Sequence, residues 1–94
     1  MEKLIEMLRN GGYSLVIDNG TVSTFDGRGV SDLYRLLETA PIFLKGALVA
    51  DKVVGKAAAA LMALAKVKEV YAEVVSRPAL ELLESNRIRV TYGE

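Results

Sequence analysis

The chain has no cysteine, no histidine and no tryptophan. Without cysteine there are no disulfides, no thiol nucleophile and no thiolate ligand for an iron–sulfur cluster. Without histidine as well, zinc sites of the ordinary kind, haem ligation by the usual residues and every histidine-based triad are excluded. The chemistry that remains belongs to carboxylates, hydroxyls, lysine and arginine. An excess of one charge is also missing, because 12 Lys plus Arg balance 12 Asp plus Glu. No global field is available to hold a phosphate backbone or an anionic lipid surface, so neither nucleic acid nor a membrane is an expected partner. The longest uncharged run of the most apolar segment, Ala57 to Ala65, falls far short of the roughly 20 residues a membrane-spanning helix needs. The amino end carries Glu2 and Glu6 in an amphipathic pattern and has no apolar signal core, and a cytoplasmic location is expected.

What is present is a chain of 94 residues, 51% of them hydrophobic, which suffices for one core. A single domain over residues 1–94 is predicted. Met1, Leu4, Ile5 and Leu8 recur at helical spacing until Asn10, Gly11 and Gly12 end the pattern. Tyr13 to Ile17 and Thr21 to Phe25 are β-rich runs separated by Asp18, Asn19 and Gly20, residues suited to a tight hairpin turn. A second helix carries Val30, Leu33, Tyr34, Leu36 and Leu37, with Gly29 or Ser31 as its cap, and stops near Pro41. Ile42 to Ala50 is predicted as a strand covered on both faces, followed by a helix from Lys52 to about Lys66 that is nearly all small or apolar and must be buried on most sides. Glu69 to Val75 is predicted as a strand. Ser76, Arg77 and Pro78 announce a capped helix, and Ile88 to Tyr92 a last strand. The order α-β-β-α-β-α-β-α-β implies parallel, right-handed crossovers in the second half and a five-stranded mixed sheet between helices.

That order is that of the three-layer α/β/α cytidine deaminase-like fold. The wording of Ser14 to Ile17, Gly46 to Ala59 and Val74 to Ser76 resembles one family of prokaryotic proteins without an assigned activity, DUF1893, with Asp51 to Ala59 its most specific part. The resemblance spans nearly the whole chain. It implies the deaminase-like sheet but not the deaminase reaction. True deaminases open their second helix with a zinc-binding His or Cys and a catalytic Glu, and their third with Pro-Cys-x-x-Cys. Here those places correspond to Arg28, Gly29, Val30, Ser31 and to Asp51 through Gly55, none of which is a zinc ligand of that kind. Zinc-dependent deamination is therefore excluded, and no cofactor is implied. The resemblance further implies that many relatives run on past the last strand, and a function resting on such a tail would be absent from this chain.

The candidate site lies where the third strand meets the third helix. Ligands of open α/β sheets favour the crevice outside the carboxyl ends of the parallel strands. Asp51, Lys52, Gly55 and Lys56 stand there, and the start of the second helix should bring Arg28 and Gly29 to the same place. Lysines at a helix amino end oppose its dipole, so an anion there would relieve them, and free backbone N–H groups beside Arg28, Lys52 and Lys56 would cradle phosphate. Ser76 and Arg77, at the next strand end, could add a hydroxyl and a guanidinium, although a plain helix cap explains them equally well. The segment is not a P-loop, since no glycine lies five positions before Gly55 and Ala57 stands where Ser or Thr is needed. Turn chemistry accounts for Asp18, and the carboxylate pairs Glu2 with Glu6 and Glu81 with Glu84 read as solvated helix faces. The expected function is binding of a nucleotide or another phosphate-bearing small molecule. Two alternatives stand beside it: a homo-oligomeric assembly domain using the alanine-rich helix or a sheet edge, and a zinc-independent nucleotide-modifying enzyme with Asp51 as base and Lys52 or Lys56 as electrostatic stabiliser.

Overall fold

Leu4 and Leu8 stand one turn apart, and in the computed structural model, which describes residues 1–27 and 30–93, they anchor an opening helix, α1 (Glu2–Asn10), to the sheet. The chain leaves α1 through Gly11 and Gly12, the latter at φ +72, a left-handed conformation that favours glycine. The hairpin follows as β1 (Leu15–Asp18) and β2 (Val22–Phe25), antiparallel, with Gly20 at φ +106 in the turn and its N–H donating to the Asp18 carboxylate at 2.9 Å. Helix α2 (Ser31–Thr39) has Val30 at its N-cap position with no side-chain capping bond, and Asp32 in its first turn. Of the two expected caps, Ser31 is thus the first helical residue, and Gly29 lies outside the described residues.

The next segment departs from expectation. Pro41–Phe43 forms a 3-10 turn rather than the start of a strand, Gly46 at φ +72 reverses the chain, and the strand β3 runs later, over Leu48–Val54. Helix α3 accordingly begins at Lys56 rather than Lys52 and ends at Ala65. The reason is pairing at long range: Leu48 to Asp51 align with β1 on one side, and Leu48 to Val54 with the strand β4 (Glu69–Val75) on the other. Two ladders of backbone hydrogen bonds outweigh the local preference of the polar pair Asp51 and Lys52 for a strand end. Helix α4 (Arg77–Ser85) starts as expected, with the Ala79 N–H donating to Ser76 Oγ at 3.2 Å, and β5 (Arg89–Tyr92) closes the sheet.

The strand order is β2-β1-β3-β4-β5, with β1 antiparallel to both its neighbours and β3, β4 and β5 parallel. Alternation divides the side chains between two faces. Leu15, Ile17, Val49, Val70 and Ala72 face the layer of α2, α3 and α4, where Leu33, Met62 and Leu83 are fully buried; Val16, Ala50 and Tyr71 face α1. This is the three-layer cytidine deaminase-like architecture. Helix α3 is less enclosed than its composition suggests. Ala58, Ala59, Met62 and Ala65 are buried, but Ala57 is exposed and Leu64 is 70% exposed. Among the described residues, no helix is long and apolar enough to cross a membrane.

Candidate functional site

The carboxyl end of β3, the residue just before β1 and the starts of α2 and α3 border an open cavity of about 280 Å³, lined by Ser14, Val30, Asp51, Lys52, Val53, Gly55, Ala57 and Ala58. The helix starts converge as the topology requires, with Val30 from one and Gly55, Ala57 and Ala58 from the other. The walls are mostly aliphatic, with Ser14, Asp51 and Lys52 as the polar side chains and Asp51 the buried one among them. Its register partners are Leu15 on β1 and Ala72 on β4, and it is only 8% exposed. Its Oδ1 accepts a long hydrogen bond from the Val53 N–H at 3.4 Å, and among the described residues neither Lys nor Arg pairs with it. Burial pushes the Asp51 carboxyl up to about 7, against the smaller opposing pull of the Val53 and Lys52 backbone N–H groups.

The structure separates Asp51 from the residue beside it. Successive strand residues alternate, and Lys52 turns to the α1 face, where its charge helps hold the Glu73 carboxylate below its ordinary range; the hydrogen bond from Arg9 is the main cause of that depression. Lys52 and Val53 border both the first cavity and a second one, of about 380 Å³, lined also by Leu8, Arg9, Glu73 and Val74. There Arg9 donates to Glu73 at 2.7 Å and to the Tyr71 hydroxyl at 2.9 Å, tying α1 to β4. Lys52 therefore stands on a strand and not at a helix start, which removes one of the two lysines read as opposing the dipole of α3.

Lys56 is the first residue of α3 and is exposed, flanked by the lining residues Gly55 and Ala57. Gly55 occupies the N-cap position with φ −96 and supplies no side chain, so the first-turn N–H groups of α3 have no side-chain cap. A Cβ at Gly55 would meet nothing within 4 Å. Ser76 and Arg77 are exposed and do not line the cavity, and the Ser76 hydroxyl is engaged in capping α4. Arg28 and Gly29 lie outside the described residues. Of the lining residues, sequence reasoning missed Ser14, Val30, Val53, Ala57 and Ala58. Ser14 precedes Leu15, the partner of Asp51, and only the antiparallel register of β1 on β3 could have placed it there.

The model of a family described as "Domain of unknown function (DUF1893)" matches residues 3–94. Among solved structures, a DUF1893 family protein of Thermotoga maritima is 29% identical with a TM-score of 0.87, covering 99% of this chain. This chain spans 63% of the length of that protein. Two crystal forms of Acinetobacter baumannii RibD align at 18% identity over 98% of this chain and 33% of theirs, with TM-scores of 0.61 and 0.64. At that identity the likeness is one of fold. Comparison with curated proteins finds no match.

Proposed function

The chain belongs to the DUF1893 family, and from that premise we propose that it is a small-molecule-binding module whose ligand, a nucleotide or another phosphate-bearing compound, enters the cavity between β3 and the starts of α2 and α3. The observation that carries this reading is a buried carboxyl group, Asp51, lining a mostly aliphatic cavity at the carboxyl end of a parallel strand and, among the described residues, in no ion pair. Leaving such a group in a low-dielectric site costs stability that ordinary packing would avoid, and that cost is typical of binding and catalytic positions. The aliphatic walls suit the body of a ligand. Its anionic group belongs at the mouth, on the uncapped amino end of α3 beside Lys56, rather than deep against Asp51.

Zinc, which the fold carries in deaminases, does not suit this site. The oxygen of Ser14 and the carboxyl of Asp51 are the polar side-chain groups of the lining besides Lys52, and the chain supplies neither imidazole nor thiolate. Among the described residues, no three acidic side chains gather to hold another metal.

The test is a thermal-shift panel of nucleotides, dinucleotides and sugar phosphates on the wild-type chain and on Ala57→Trp, which plants an indole at the cavity from an exposed helix position. A ligand at a hundred times its Kd adds about 2.7 kcal/mol of stability. We expect at least one compound to raise the Tm of the wild type and not that of Ala57→Trp. A panel without effect, or a shift that survives in the variant, overturns the proposal.

A second reading, homo-oligomeric assembly, draws on a different feature. Val53 and Val74 are register partners on neighbouring strands and are 65% and 43% exposed, forming an apolar spot rimmed by Arg9, Lys52 and Glu73.

A further inference from the structure

We propose that the deep end of this cavity recognises a planar nitrogen cation, an amidinium or guanidinium group carried on a small apolar body, through the carboxylate of Asp51. The inference rests on the binding reading above and names what the ligand presents at its inner end. A carboxyl group that is 8% exposed and faces a cavity needs either a proton or a positive charge to be at ease there. Among the described residues, the elements packed around Asp51 place no paired cation against it: Ser14 and Leu15 stand at the start of β1, Ala72 is its partner on β4, Val30 is the N-cap of α2, and α3 presents Ala57 and Ala58. Its nearest charged neighbour in sequence, Lys52, borders the cavity and the cleft beside α1 alike, forms no ion pair with Asp51 and acts on Glu73. A ligand cation would therefore supply the missing countercharge.

Size and shape narrow the class. About 280 Å³ between Val30, Val53, Ala57 and Ala58 is the volume of a ring and one substituent rather than of a large cofactor. Planar, paired N–H donors match the two oxygens of a carboxylate, and such charge-assisted pairs are stronger than neutral ones. Among the described residues no side chain donates to the Asp51 carboxylate, and the bond that its Oδ1 accepts from Val53 is long. An anion deep in the same place would meet the carboxylate as a like charge, which is why the phosphate of the reading above belongs at the mouth.

The cation requires Asp51 ionised, whereas the free protein holds its proton up to about pH 7. Apparent affinity scales with the ionised fraction, so it rises with pH and levels off above that value. The probe is benzamidine, whose own charge is constant over the range, titrated by calorimetry at pH 5.5 and 8.5 into wild type, Asp51→Asn and Ala57→Trp, with uncharged benzamide as control. We expect benzamidine to bind the wild type about 30-fold more weakly at pH 5.5 than at 8.5, to lose its binding in both variants, and benzamide not to bind. Retained binding in Asp51→Asn, an affinity that ignores pH, or no binding at pH 8.5 overturns the inference. The Tm of each variant without ligand confirms that it is folded, and the two variants report on the same cavity independently. If the phosphate panel identifies a ligand blocked by Ala57→Trp while benzamidine fails, the cation falls and the binding site stands; if both fail, both fall.

Discussion

Asp51 is the residue on which the most can be tested. Its carboxyl holds a proton far more tightly in the folded chain, up to about 7, than at its ordinary value of 3.8. The sign follows from linkage: folding takes up a proton between these two values, so this group's contribution makes the protein most stable below about pH 4 and costs stability as pH rises to about 7. The shift corresponds to at most about 4 kcal/mol, since each unit is worth about 1.4. Urea unfolding of wild type and Asp51→Asn at pH 5 and pH 8 should show the wild type losing stability toward the higher pH. The variant should lack that loss and be the more stable of the two at pH 8. A wild type whose stability is flat or rising over that interval, relative to the variant, would mean the carboxyl is solvated. Asp51 was legible in the sequence as a polar residue closing an apolar strand. Its isolation from Lys52 was not, because adjacent residues share a site on a loop or helix start but part company on a pleated strand, and only the long-range ladders show that β3 continues to Val54.

At the scale of elements, α4, β4 and the β1–β2 hairpin were readable because each is specified by its own chemistry: a serine cap with an early proline, a β-branched run, and a turn of Asp, Asn and Gly. The bounds of β3 and α3 were not, since the stretch from Ile42 to Ala50, apolar but for Lys45 and Gly46, gives no periodicity with which to tell a 3-10 turn from a strand. Helix α3 also begins in an unusual way, on a glycine that leaves its first turn uncapped. Gly55→Ser has room for its Cβ and a backbone conformation open to any residue. It should raise stability by about 0.5–1 kcal/mol, by capping and by restricting the unfolded chain. The same hydroxyl would satisfy the N–H groups assigned to the ligand's anion, so affinity for any phosphate-bearing ligand of the panel should drop. Thermal unfolding and ligand titration of this one variant check both halves. A variant that gains stability and keeps its affinity would move the anion away from α3.

For the molecule as a whole, the two faces of the sheet differ in how they are covered. Three helices lie on one, and α1 alone lies on the other, reaching β1 and β3 and tied to β4 through Arg9. Val53 and Val74, toward the carboxyl ends of β3 and β4 and beside Arg9, remain exposed. If assembly occurs, this is where it should be felt: light scattering of the wild type should report a species heavier than the monomer of 10.2 kDa, and Val74→Lys should return it to the monomer with little change in Tm. A wild type that is monomeric at high concentration disposes of the assembly reading and leaves the cavity untouched.

The floor of that cavity has a further property. Because β3 is laddered to β1 on one edge and to β4 on the other, it cannot fray by itself as an outer strand can. Asp51 is thus held by the segment whose opening requires dissolving the whole sheet. The price in stability of its carboxyl is carried by the global transition rather than by local breathing, and a ligand that settles there tightens the entire molecule at once.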